Sequence, residues 1–207
     1  MSRKEKIQQI ITEQKIPALV HFTSLSNLEG ILESGILSRN DIDETVEIND
    51  EKRLDGRKNT ISTSIAFPNS KMFYKYRNEK KGKWCVVAIS KNVLTELDCM
   101  FCKHNAADAR ISSESDEELA KAKSLASMYE EIASLPSREE QKLNIYDPTD
   151  VQAEVLIRDH IPAKYIVGIA FPDKPSKERF EKQTKKRKVV VHSRNKGLFG
   201  SREYVRR

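Results

Sequence analysis

Apolar positions recur along the chain at two periods, and each change of period marks an element. Ile7, Ile10 and Ile11 fall on one side of a helix predicted over Lys4 to Thr12. The run Ile16-Pro17-Ala18-Leu19-Val20-His21-Phe22-Thr23 then predicts a buried strand over Leu19 to Thr23. Leu25, Leu28, Ile31 and Leu32 return to helical spacing, so Asn27 to Ser34 reads as a helix. Ser24 can cap its start, and Gly35 can supply a left-handed stop. Arg39 to Asn59 is charged and carries no period. At about twenty residues it is longer than most structureless connections and reads as a functional loop or lid.

Thr60 to Ile65 reads as an alternating strand, which Pro68 ends. A short helix follows through Lys71, Met72, Phe73 and Lys75. Trp84 to Ile89 predicts an apolar strand, and Lys91 to Leu97 a brief helix. Ser115-x-x-Glu118 is a capping box opening a helix that carries Leu119, Leu125, Met128, Tyr129, Ile132 and Leu135. Val151 to Ile157 and Tyr165 to Phe171 are two further strands. Lys177 to Lys186 reads as a basic helix and Val189 to His192 as a last strand.

Strands and helices are interleaved, but the strands are short and the connections irregular. The chain has seven glycines and no G-x-G-x-x-G or Walker pattern, which disfavours a doubly wound dinucleotide-binding fold. An α+β domain around a split, mostly antiparallel sheet with flanking helices is expected. Residues 1–207 fit a single domain, with 174–207 as its basic C-terminal segment.

Composition narrows the picture. The chain is 38 % hydrophobic and 33 % charged, and no apolar run approaches the about 18 residues needed to cross a bilayer. No apolar signal region follows Met1-Ser2-Arg3-Lys4-Glu5-Lys6, so a cytoplasmic protein without membrane association is expected. Cys99-x-x-Cys102 with His104 invites a zinc reading. Zinc takes about four ligands, and no second Cys/His pair lies at useful spacing, so no metal is expected. Lys174 to Arg207 holds thirteen Lys/Arg against three Asp/Glu, a net of +10, whereas the whole chain carries +6. Such asymmetry points to a polyanion partner or to a solvated basic tail.

Five segments carry candidate chemistry, one of them Met100 to Asp108, which reads as a polar loop between elements. His21 and Thr23 stand where a strand gives way to a helix, a place that can face a cleft; a histidine there is also commonly structural. Glu154 lies in the mostly apolar strand Val151 to Ile157, where a carboxylate is costly to bury unless paired or functional. Arg53 and Arg57 flank the turn-forming Asp55-Gly56, and a guanidinium fork suits a phosphate or a nucleobase edge. Phe73, Tyr74 and Tyr76 alternate with Lys71, Lys75 and Arg77, which suits stacking on a planar ring beside phosphates, or plain packing against the sheet.

Together these segments resemble the DarT family of ADP-ribosyltransferase toxins, which transfer ADP-ribose from NAD to DNA bases. The resemblance runs through His21-Phe22-Thr23 with Asn27-Leu28-x-x-Ile31-Leu32-x-x-Gly35, then Arg53 before Asp55-Gly56. It continues through Ser64-Ile65-x-Phe67-Pro68-Asn69-x-Lys71-Met72, Asn105-Ala106-Ala107 and Gln152-Ala153-Glu154-Val155-Leu156, in family order. It implies an ADP-ribosyltransferase-like sheet, NAD as a consumed substrate, single-stranded DNA as acceptor, and a macrodomain antitoxin of the DarG type as partner. It also implies Glu154 and Arg53 as catalytic, with Arg57 as second choice for the arginine. NAD binding falls to His21, Phe22, Thr23, Asn27, Arg53 and Tyr74. Nucleic-acid contacts are expected from Arg57, Lys75, Arg77, Lys185, Lys186 and Arg187. The thymidine-modifying branch carries Pro-Phe-Tyr-Phe followed by Arg-Ser-Pro-Met. The run Ser62 to Met72 departs from that and looks more like the guanosine-modifying branch. An acceptor in RNA or protein keeps the same chemistry, and a non-catalytic nucleic-acid-binding module would rest on the basic segment alone.

Overall fold

The computed structural model describes residues 1–41, 56–184 and 186–207. Helix α1 (Arg3–Glu13) opens with the capping box of Ser2 and Glu5 and buries Ile7 and Ile11. Strand β1 (Ala18–Ser24) runs into a single 3₁₀ turn (Leu25–Asn27) and α2 (Leu28–Ser34). Next come the short β2 (Ile36–Leu37), β3 (Thr60–Ile65), α3 (Ser70–Glu79) and β4 (Trp84–Ser90). Four short elements follow β4 and α4 (Val93–Glu96): β5 (Cys99–Cys102), α5 (Ala109–Ser112), α6 (Asp116–Leu119) and α7 (Ala122–Ser127). The chain closes with β6 (Glu154–Arg158), β7 (His160–Ile161), β8 (Ile166–Phe171), α8 (Lys174–Arg179), α9 (Glu181–Thr184), β9 (Lys188–Val191) and α10 (Arg202–Val205).

Seven strands form one sheet in the order β5-β6-β3-β1-β4-β8-β9, antiparallel except for the β8–β9 pair. The expected α+β, mostly antiparallel architecture is therefore present. One face of the sheet carries a continuous core that includes Leu19, Ile65, Val87, Val155 and Ile169 with Ile7, Leu28 and Leu125 from the helices. The alternate strand residues feed two separate clusters, one around Val20, Phe73, Trp84, Val86 and Phe199 and one around Met100, Cys102 and Leu156.

The helix expected from the Ser115 capping box breaks after Leu119. Ser115 does cap, its Oγ accepting from the Glu118 amide, but the backbone turns extended at Lys121. The reason is which core each half serves. Leu119 packs with Met100, Cys102 and Leu156, whereas Leu125 and Met128 join the main cluster. A straight helix presents one stripe and cannot serve both. The basic helix is likewise divided at Phe180, which is buried against Phe171.

The polar loop expected from Met100 onward begins instead as the buried strand β5. Its two cysteines are buried in different clusters, Cys99 in the main core and Cys102 beside Met100 and Leu156. Cys99 donates to the Val93 carbonyl, and burial pushes its thiol up to about 12. Among the described residues no group of His, Cys, Asp and Glu could hold a metal ion, and no helix is long and apolar enough to cross a membrane.

Candidate active site

The sheet is split at its centre. Strand β1 pairs with β4 along all seven of its residues, but with β3 only at Leu19↔Ile65 and Val20↔Ser64. Beyond Val20 the two central strands part. The Ser62 carbonyl, which would otherwise take an amide from β1, is met by Nδ1 of His21 at 2.9 Å. His21 thus bridges the mouth of the split. Burial lowers its pKa below the ordinary 6.5. The neutral ring donates from Nδ1 and carries its lone pair on Nε2. Beside it, buried Thr23 accepts at Oγ1 from Nδ2 of Asn27 at 3.1 Å, which fixes the corner where β1 meets α2.

Glu154 is the first residue of β6 and is only 5 % exposed. Register places it. Thr63 pairs with Val155 and Val20 with Ser64, so Glu154 lies level with Ser64, two strands from Val20. That corresponds to about 10 Å between the Glu154 and Val20 Cα atoms. Residues opposite one another in antiparallel strands share a face. Ser62, Ser64 and Glu154 therefore form a polar strip on the face where the apolar packing is divided between two clusters.

The Glu154 carboxylate is held from the loop after β5. Its Oε2 accepts the Ala106 amide at 2.8 Å. The same loop carries His104, whose Nδ1 meets Asp150 Oδ2 at 2.8 Å, and Asp150 Oδ1 accepts the Gln152 amide at 2.8 Å. His104 and Asp150 are both buried. The strand expected from Val151 starts only at Glu154 because residues 150–153 are drawn into this turn, closed by the Ala153 amide on the Asp150 carbonyl.

An aromatic wall lines the β1 flank. Phe22 stacks on Phe73 at 4.7 Å between centroids and reaches Tyr76 at 6.3 Å, while Tyr76 stacks on Trp84. Tyr74 is 60 % exposed on the outer side of α3, so Tyr76 is the α3 tyrosine that joins Phe22.

His21, Phe22, Thr23 and Asn27 gather where β1 runs into α2, and Glu154 stands two strands away at the start of β6. Arg53 and Lys185 lie outside the described residues. Lys75 and Lys186 are exposed. Three residues expected to contact nucleic acid bond within the protein. Arg57 bonds Asp116 at 2.9 Å and the Glu114 carbonyl. Arg77 lies over the Phe73 ring and donates to the Phe199 carbonyl. Arg187 donates to the carbonyls of Ile166, Gln183 and Leu32. Sequence reasoning chose Tyr74 over Tyr76 and did not connect His104 and Asp150 with Glu154. The Met100 to Asp108 segment, with its Asn105-Ala106-Ala107 motif, marked only the neighbourhood of His104.

The model of the family described as ssDNA thymidine ADP-ribosyltransferase, DarT, matches residues 20–196. The fold is similar to DarT from Thermus sp. 2.9 in complex with NAD+, with TM-score 0.59, 17 % identity, and coverage of 86 % of this chain and 96 % of that one. It is similar to the same Thermus protein in complex with ADP-ribosylated ssDNA, with TM-score 0.59, 18 % identity, and 86 % and 95 % coverage. It is also similar to Thermosipho africanus DarTG in complex with ADP-ribose, with TM-score 0.55 and 16 % identity, covering 86 % of this chain and 50 % of that one. No curated protein sequence matches the chain.

Proposed function

Because the chain belongs to the DarT family of ssDNA ADP-ribosyltransferases, we propose that it transfers ADP-ribose from NAD to guanine in single-stranded DNA. The observation that carries this reading is Glu154, a buried carboxylate on a polar strip between two apolar clusters, beside the split that His21 bridges. The family's Thermus member binds NAD+, and the donor set here fits that substrate. Neutral His21 offers Nε2 to a ribose hydroxyl, Thr23 and Asn27 shape the corner, and the Phe22–Tyr76 wall suits a planar ring.

Cleaving the nicotinamide–ribose bond builds positive charge on the sugar, as in glycoside hydrolysis. Glu154 supplies a fixed negative charge to that centre, held in place by the Ala106 amide. A guanine nitrogen then forms the new bond to the anomeric carbon, nicotinamide leaves, and the base proton passes to solvent or to a neighbouring group. Arg53 is assigned to the reacting centre on the resemblance of its segment. The departure of Ser62 to Met72 from the thymidine-type pattern supports guanine as the target. Residues 1–207 would act as one catalytic domain. In the cytoplasm such an enzyme acts as a toxin, and a macrodomain that removes ADP-ribose is its expected antitoxin.

The test is incubation with NAD and oligonucleotides of single-base composition, followed by digestion and mass spectrometry. One ADP-ribose on guanosine alone is expected, with loss of the product in Glu154→Gln, which keeps an acceptor for the Ala106 amide. Modification of thymidine alone overturns the choice of base. Modification of RNA or protein in place of DNA overturns the acceptor, and absence of any NAD cleavage overturns the enzyme reading.

A further inference from the structure

The last helix carries an arrangement that the basic character of the C-terminus conceals. Arg202 is only 4 % exposed. Its guanidinium donates to the Pro148 carbonyl at 2.7 Å and to the Thr149 carbonyl at 3.0 Å. Burial lowers its pKa to about 10, with Asp147 and Asp150 opposing that shift, so it stays charged at neutral pH. One turn on, Arg206 grips the fully buried Asp147 with two bonds, Nε to Oδ2 at 2.7 Å and Nη2 to Oδ1 at 2.8 Å. Residues 147–150 are thus clamped from outside the sheet. They precede β6 and have no ladder of their own; Arg138, on the Asp147 carbonyl and Thr149 Oγ1, and the Thr149 amide on the Met128 carbonyl hold them from the other side.

The clamped loop leads directly to the site. Thr149 is followed by Asp150, which holds both His104 and the Gln152 amide. His104 precedes Ala106, whose amide holds Glu154, and Gln152 precedes Glu154 itself. Both routes from Arg202 converge on one carboxylate. We propose that Arg202, seconded by Arg206, is a positioning residue for Glu154, acting through the Asp147–Asp150 loop; this rests on the reading of Glu154 as the catalytic carboxylate. The helix lies beyond residues 20–196 that the family model matches. It also changes the meaning of the C-terminal charge. Part of that charge is spent inside the fold on the geometry of the site.

The experiment compares the full-length wild type with Arg202→Ala, Arg202→Lys and Arg206→Ala, and uses exposed Arg207→Ala as control. A misplaced reacting group lowers turnover more than substrate affinity, so Arg202→Ala should lose kcat by about tenfold or more while KM for NAD changes by less than about twofold. Arg202→Lys, with one donor head in place of a fork, should recover part of kcat. Hydrogen exchange should quicken at residues 103–107 and 147–154 in Arg202→Ala and stay unchanged in β1 and β4. Wild-type kcat in Arg202→Ala, or exchange that quickens evenly through the sheet, overturns the clamp. If Arg202→Ala does not fold, Arg206→Ala carries the same readouts. A wild type that transfers nothing defeats the reading of Glu154, and the exchange comparison still decides the clamp.

Discussion

His21 commits its Nδ1–H to the Ser62 carbonyl, and that one bond decides what the ring can offer a substrate. Only Nε2 is left, as an acceptor, while the ring is neutral. His21→Ala removes both the bridge and the acceptor; KM for NAD is expected to rise about tenfold, the loss of one good hydrogen bond, with a smaller change in kcat. Titration gives a second prediction. Burial lowers the pKa of His21, and it lowers that of His192, whose Nδ1 accepts the Leu198 amide. The folded state therefore binds fewer protons than the unfolded chain just below pH 6.5. The stability these rings contribute is complete above about pH 6.5, the ordinary histidine value, and is lost as the pH falls through their lower folded values. Thermal midpoints should fall between pH 6.5 and 5. A double variant, His21→Gln with His192→Gln, should flatten that slope. A slope unchanged in the double variant would place its source elsewhere. The held-down carboxyls act lower: Lys83 beside Asp173 keeps its pKa at about 2, so its contribution disappears only in strong acid.

Elements whose signal is local were legible. The helix α1, the strand β1 and the stop at Gly35 all follow from a few adjacent residues. Gly35 sits at φ 95°, where its Cβ would overlap the Ile161 carbonyl and come within 2.8 Å of the Ala163 amide. Gly35→Ala should cost about 2 kcal/mol or more, read from urea unfolding, because both the backbone conformation and the β2–β7 contact are lost. A cost below 1 kcal/mol would mean that α2 can end without the left-handed residue. Elements whose boundaries depend on distant partners were not legible. The break after Leu119 depends on two cores that meet around β5, and nothing within that segment announces it. Strand β5 is buried on both faces, so it lacks the alternation by which a strand is read. The site divides in the same way. His21 and Glu154 stand out as polar residues in apolar runs, whereas His104 and Asp150 become partners only through a contact across 46 positions.

Over the whole molecule, charge asymmetry was visible in the sequence, but the direction each cation faces was not. Of the basic C-terminal segment, Arg187, Arg202 and Arg206 turn inward onto backbone carbonyls or Asp147, while Lys186 and Lys188 stay exposed. These two groups make separable contributions. A cation that neutralises a phosphate releases a counterion, and each such contact on a single strand adds roughly 0.7 to the slope of log K against log salt. Lys186→Ala with Lys188→Ala should therefore lower the salt slope of ssDNA binding by about one or more, measured by fluorescence anisotropy across a salt series. Lys75→Ala on exposed α3 should act in the same direction. Arg187→Ala should leave the slope alone and destabilise the fold by roughly 2 kcal/mol, since it removes bonds to three carbonyls. The opposite pattern, a slope that depends on Arg187 and not on the lysines, would mean that Arg187 leaves its carbonyls to meet the nucleic acid. Binding would then have to break the tie from Arg187 to Leu32 in α2, the helix that begins at the His21–Thr23 corner, and ssDNA affinity would be coupled to the NAD site proposed at that corner.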